Sequence, residues 1–222
     1  MTDFDLLIFD MDGVLVDTTE CHRRAYADLW LLVGIVGPAY EDIAGRTTAE
    51  VVAECTATMN PSPDQIVAWV RYKQTRARVY LATENIVFAD SAECIGRLNQ
   101  FRGRANGRRL RLAIGTGASR ETTAMVLGRF GWGESFSVIV TGEDVIEGKP
   151  APEIYLAAME RAGVSPQRTL IIEDSDAGLT AAVASQAFTA SVRSGVKTED
   201  KRFIGSFPDV RSLLSKLNYS QQ

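Results

Sequence analysis

Asp10 and Asp12 stand two residues apart where the apolar run Leu6-Leu7-Ile8-Phe9 ends, and Gly13 follows, permitting a sharp turn. Glu173 and Asp174 follow a second apolar run, Leu170-Ile171-Ile172. Carboxylates at the ends of two strands can meet in one site, and three or four of them together repel so strongly that a cation must neutralise them. An oxygen-only donor set without a His or Cys cluster points to Mg²⁺ rather than zinc. The blander alternative is that acidic residues at strand ends form turns or cap helices, and an isolated Asp-x-Asp is a weak signal.

Two further residues fit the same chemistry. Thr116 ends the run Leu112-Ala113-Ile114-Gly115 and leads into Gly117-Ala118-Ser119-Arg120. A hydroxyl and the amides entering a helix there form an anion cradle, although Thr116 or Ser119 can equally serve as a plain helix cap. Gly115-Thr116-Gly117 begins like a dinucleotide fingerprint, but Arg120 replaces the third glycine and the strand is not the first. Lys149 precedes Pro150-Ala151-Pro152-Glu153, where either proline can open a helix. A lysine in such a place is commonly exposed; at the rim of a phosphate site it would balance both a carboxylate and a phosphoryl group.

The elements that must position these residues alternate. Apolar runs recur at Leu110 to Ile114, Phe136 to Val140, Thr169 to Ile172 and, more weakly, Phe188 to Val192. Helical patterns lie between them near Thr122 to Phe130, Glu153 to Ala162 and Ala177 to Ala184. Strand–helix alternation implies α/β architecture, a doubly wound parallel sheet with ligands beyond the carboxyl ends of its strands. Residues from about Thr18 to Thr83 break the rhythm and read as helices: Glu20 to Val33, Ala49 to Met59, and Pro63 to about Leu81. Ser62-Pro63-Asp64-Gln65 marks the last start, with Ser62 as cap and Gln65 at the reciprocal position. The organisation expected is a Rossmann-like core over 1–16 and 85–222 with an all-helical cap over 17–84. Its two crossings, near Val14 to Asp17 and near Glu84 to Ala89, form a natural hinge.

Composition narrows the classes. Hydrophobic residues make up 45% of the chain and charged ones 23%, enough apolar material for a full core. A net charge of −4 argues against a nucleic-acid protein. The arginines at 102, 104, 108, 109 and 111 read as a solvated loop. His22 is the single histidine, so multi-histidine zinc sites are excluded, and no Gly-x-Ser-x-Gly elbow supplies a serine hydrolase. Cys21, Cys55 and Cys94 form neither a disulfide framework nor a Cys-x-x-Cys site. The opening Met1-Thr2-Asp3-Phe4-Asp5 lacks a basic signal region, and no apolar run reaches membrane-spanning length, so a cytoplasmic protein is expected, with a monomer as the default.

Four segments in order resemble the haloacid dehalogenase superfamily, in its branch of β-phosphoglucomutase-like and phosphoglycolate phosphatase-like proteins with a helical cap. They are Asp10-Met11-Asp12-Gly13-Val14-Leu15-Val16-Asp17-Thr18, Thr116, Gly148-Lys149-Pro150-Ala151-Pro152-Glu153, and Ile172-Glu173-Asp174-Ser175-Asp176-Ala177-Gly178. The resemblance implies that Asp10 attacks phosphorus and forms an aspartyl phosphate. It gives Asp12 the role of protonating the leaving oxygen and then activating water. By the same resemblance Mg²⁺ is held by Asp10, the Asp12 carbonyl and Asp174, with Glu173 direct or through water, while Thr116 and Gly117 with Lys149 hold phosphoryl oxygens. A carboxylate at Asp12 separates phosphatases and mutases from dehalogenase relatives, favouring a phosphomonoester as substrate.

In the cap, the resemblance marks His22, Arg24 and, more loosely, Lys73 as substrate contacts, with a packing or hinge role for His22 equally open. The mutase pattern has a lysine and an arginine around a glycine in the cap loop. Here it reads Ile43-Ala44-Gly45-Arg46-Thr47-Thr48, keeping neither, with Arg46 nearby. That departure favours a phosphatase acting on a sugar phosphate or similar small phosphorylated metabolite. A β-phosphoglucomutase-type phosphomutase and a catalytically silent binding module on the same fold are the competing readings.

Overall fold

The computed structural model describes residues 4–44, 46–99 and 110–219. Strand β1 (Leu6–Phe9) is completely buried, as a strand covered on both faces must be. It pairs in parallel with β2 (Arg111–Gly115) on one side and β4 (Thr169–Glu173) on the other. Beyond them lie β3 (Val138–Val140), β5 (Phe188–Val192) and β6 (Phe203–Phe207), giving a six-stranded parallel sheet of order β3-β2-β1-β4-β5-β6. Alternate residues of the central strands feed two cores. Leu7 and Phe9 join Leu112, Ile114, Leu170 and Ile172 on one face; Leu6 and Ile8 join Ala113 and Ile171 on the other. Strand order reverses at β1, so the crevice beyond β1 and its neighbours is the place for a ligand.

Helices cover both faces. Those following the sheet strands are α6 (Arg120–Arg129), α7 (Glu153–Ala162) and α8 (Asp176–Ala184), all three expected from the apolar pattern. Between β1 and β2 the chain runs through α1 (Thr19–Val33), α2 (Tyr40–Ile43), α3 (Thr48–Thr56), a short 3₁₀ turn, α4 (Pro63–Thr83) and α5 (Ala89–Leu98). The helices up to α4 form the all-helical cap, with its own core of Tyr26, Leu29, Trp30, Ile43, Val51 and Val52. Its base is anchored differently: Cys21, Ala25, Ala77 and Leu81 join the same core as Leu7, Phe9 and their sheet neighbours.

Local chemistry sets these boundaries. The reciprocal Ser62–Gln65 cap opens α4 as the sequence indicates. A second such box, Thr47 with Glu50, starts α3 one residue before the expected Ala49. The 3₁₀ turn Ala57–Met59 then replaces the last turn of the expected helix. Four elements escape the sequence reading: the short helix α2, α5, the half-buried strand β6, and the closing helix α9 (Val210–Lys216). The arginine-rich segment lies outside the described residues except for Arg111, which opens β2 and donates to the Ala162 carbonyl. The two chain crossings touch each other: Asp17 N–H donates to the Ile86 carbonyl (2.7 Å), and Val16 bridges Val87. Among the described residues no helix is long and apolar enough to cross a membrane.

Candidate active site

The carboxyl edge of the sheet gathers the expected residues. Asp10 follows β1, Thr116 follows β2, and Glu173 ends β4 with Asp174 next. The loop after β3 delivers Lys149, which is buried, not idle at the surface. Its Nζ lies 2.7 Å from Asp10 Oδ1 and 2.6 Å from Glu173 Oε1. The helix-cap alternative for Thr116 falls to Ser119, whose hydroxyl accepts from Thr122 N–H. Thr116 is left fully buried beside the site with Gly117, its hydroxyl accepting from Ala118 N–H at 3.2 Å.

Asp10, Glu173 and Asp174 each bring a carboxylate oxygen within 4.8 Å of the others, an all-oxygen set that fits a hard divalent cation. Charge supports the fit. Burial, aided by Glu173 and Asp12 and opposed by Lys149, pushes Asp10 up to about 7. Burial with the neighbouring charges of Glu173 and Asp10 pushes Asp174 up to about 8. One lysine therefore leaves this cluster short of positive charge, and a bound Mg²⁺ would supply it.

Glu173 differs from the other two. It is fully buried, and burial alone would raise it; Lys149 and the phenol of Tyr155 hold it below the ordinary carboxylate range. Both its oxygens are engaged by the protein. Oε1 accepts from Lys149 and Tyr155, and Oε2 accepts from the Asp174 and Ser175 N–H groups and the Ser175 hydroxyl. This arrangement suits an anchor for Lys149 and the Asp174–Ser175 loop better than a direct metal ligand. Two glycines make room. A Cβ on Gly178 would lie 1.9 Å from Glu173 Oε1, and one on Gly13, where φ is +81°, would lie 1.9 Å from Asp174 Oδ2.

Asp12 faces the cap. Its Oδ1 accepts from Thr18 Oγ1 at 2.6 Å and lies 3.7 Å from His22 Nε2. Burial raises Asp12, but the neighbouring His22 and the Thr18 hydrogen bond outweigh it and leave the carboxyl below its ordinary value. His22 is lowered by burial and by the neighbouring Lys73 charge. Lys73 Nζ sits 3.0 Å from His22 Nδ1, so Nδ1 accepts and the neutral ring carries its proton on Nε2, toward Asp12. Lys73 is itself buried, lies 4.3 Å above the Tyr26 ring, and is lowered by burial to about 8.

These groups line one cavity of about 370 Å³ between core and cap. Thr47 of the cap closes it from one side, seated so tightly on Gly148 that a Cβ there would come within 2.8 Å of its methyl. Arg46 lines the cavity but its guanidinium is paired with Glu54. Arg24 is outside the lining, paired with Glu84 and stacked 3.9 Å from the Tyr80 ring. Thr18 and Tyr155 were absent from the site expected from sequence. A buried tyrosine needs a partner for its hydroxyl, which is the one signal Tyr155 offers.

The family model of haloacid dehalogenase-like hydrolases matches residues 4–186. The chain belongs to that family and is an enzyme of the hydrolase class. It is 32% identical to Protein CbbY of Rhodobacter capsulatus, over 81% of each chain. It is 30% identical to the fructose-1-phosphate phosphatase YqaB of Escherichia coli, covering 84% of this chain and 95% of that one. The crystal structure of CbbY from Rhodobacter sphaeroides in complex with phosphate superposes with a TM-score of 0.78 at 27% identity, covering 95% of this chain and 96% of that one.

Proposed function

We propose that this enzyme is a Mg²⁺-dependent phosphatase that hydrolyses a sugar phosphate or similar small phosphomonoester through an aspartyl phosphate on Asp10. The observation that carries the reading is the Asp10–Lys149–Glu173–Asp174 cluster beside Asp12 at the floor of a capped cavity. Phosphoryl transfer demands charge placement more than covalent chemistry, and this set provides it.

Bound Mg²⁺ would be held by Asp10, Asp174 and the Asp12 carbonyl, and would neutralise charge on the phosphoryl group and the attacking carboxylate. Lys149 holds Asp10 through Oδ1, leaving the other carboxylate oxygen to attack phosphorus. Thr116 and Gly117 bind the phosphoryl oxygens on the side of β2. Asp12, ionised in the free enzyme, takes up a proton as substrate binds, hands it to the leaving oxygen and later takes one from water. The Thr18 hydroxyl and the His22 Nε2 proton keep its carboxyl oriented. The helical cap, placed at 17–84, excludes bulk water and presents His22, Lys73 and Arg46 to the organic part of the substrate.

Hydrolysis is favoured over transfer within the cap because Arg46 is committed to Glu54, leaving Lys73 as the cap cation nearest Asp12. In this reading the enzyme works in the cytoplasm as a monomer. A metabolite panel scored for phosphate release tests the proposal. Release that needs Mg²⁺ and disappears in Asp10→Asn is expected; no release from any phosphoester, or equal release from the variant, would overturn it. Conversion of a sugar phosphate to its isomer faster than phosphate release would instead support the mutase.

A further inference from the structure

We infer that Arg193, just past the end of β5 and outside the cavity lining, is a positioning residue that clasps both crossings between core and cap and so fixes the Asp12 turn. It follows β5 and holds φ at +66°, a left-handed conformation that costs a non-glycine residue energy and persists only where surrounding contacts enforce it.

Its guanidinium explains that conformation. Nη2 donates to both oxygens of Asp90, at 2.8 and 3.0 Å, and Cζ lies 3.7 Å from the centre of the Phe88 ring. Nε donates to the Val14 carbonyl at 3.3 Å. Phe88 belongs to the return crossing and Asp90 to the first turn of α5 directly after it; Val14 belongs to the outgoing crossing, two residues past Asp12. Ser91 tightens the junction by donating its own hydroxyl to the same Val14 carbonyl, and Asp90 also accepts from Val210 N–H at the start of α9. Asp90 and Ser91 are buried, and the Arg193 side chain is only 18% exposed. A partly buried Arg–carboxylate pair with one nitrogen shared between both carboxylate oxygens is screened less than a surface pair and holds its geometry better.

The clasp therefore joins the end of β5, the turn Gly13–Val16 and the strap that ends the cap. Gly13 N–H donates to the Val16 carbonyl in that turn. When the crossings hold this position, α1 delivers Thr18 and His22 to Asp12. When they do not, Asp12 loses the two contacts that orient it.

The inference rests on the proposed role of Asp12 as proton donor, and two measurements on Arg193→Gly and Arg193→Lys separate the two ideas. Glycine relieves the positive φ, so its variant keeps the fold; lysine keeps the charge facing Asp90 but cannot also reach Val14. The first measurement is the ratio of kcat/KM for the fastest sugar phosphate of the panel to that for para-nitrophenyl phosphate, whose phenolate leaves without a proton donor. Both variants should lower that ratio about ten-fold, a fraction of what a general acid contributes. A merely structural role would depress both substrates equally and leave the ratio unchanged, which would overturn the clasp. The second is amide hydrogen exchange of the free protein. Gly13, Val16 and Asp17 should exchange about ten-fold faster in Arg193→Gly while β4 amides stay protected; unchanged exchange in the crossings would also overturn it. A wild type silent on both phosphates would refute the proposed function, and the exchange measurement would still decide the clasp.

Discussion

Gly178→Ala sets two opposing effects against each other. Gly178 lies in the first turn of α8, where alanine is the better helix former by up to about 1 kcal/mol. Against that gain, the added Cβ would stand 1.9 Å from Glu173 Oε1, 2.0 Å from its carboxyl carbon and 2.2 Å from Oε2. The carboxylate must leave its seat. It would then abandon Lys149 and Tyr155 on one oxygen and the Asp174 and Ser175 donors on the other, all in a fully buried position. Breaking a buried ion pair costs about 3–5 kcal/mol, so the net loss should be about 2–4 kcal/mol. For a chain of this size that lowers Tm by roughly 4–16 °C. Urea unfolding and calorimetry of the metal-free protein measure it directly. A variant as stable as wild type, or more stable, would refute the account of Glu173 as a saturated anchor.

Gly148→Ala should act on the cap instead. Its methyl would meet Thr47 at 2.8 Å, so closure is impeded and kcat/KM should fall several-fold with little change in Tm; unchanged kinetics would show that the cap loop does not need that seat. Acidity gives a third test. Asp10 and Asp174 are raised in the folded protein to about 7 and about 8 from an ordinary 3.8, so between about pH 4 and pH 8 the folded state holds more protons than the unfolded chain. Stability of the metal-free protein should therefore fall as pH rises through that window. Mg²⁺ binding needs both groups ionised, so Mg²⁺ should raise Tm more near pH 8 than near pH 6; an equal shift at both would contradict the assigned ligands.

Much of this was legible because burial writes itself into short apolar runs. Leu6 to Phe9 and Leu170 to Ile172 mark buried strands whose next residues are acidic, and both carboxylate pairs do lie together at the carboxyl edge of the sheet. The parts that were hidden depend on contacts across long stretches of chain. Tyr155 reaches Glu173 at the end of β4 from α7, and His22 meets Lys73 only because α1 packs on α4. Strand β6 is half-buried at the sheet edge and interrupted by Gly205, so it shows neither a continuous nor an alternating pattern. Helix α5 has no side-chain cap to mark its start. The pairing of Arg46 with Glu54 is a side-chain choice that residue spacing cannot express.

The central claim is that Asp10 becomes covalently phosphorylated. Acid-quenching the enzyme after mixing with radiolabelled acetyl phosphate and Mg²⁺, then mapping the label to a peptide, tests it most directly. The account predicts label on the peptide containing Asp10, released by hydroxylamine as expected of an acyl phosphate, and none in Asp10→Asn. Turnover without label on that peptide, or label that persists in Asp10→Asn, would contradict it.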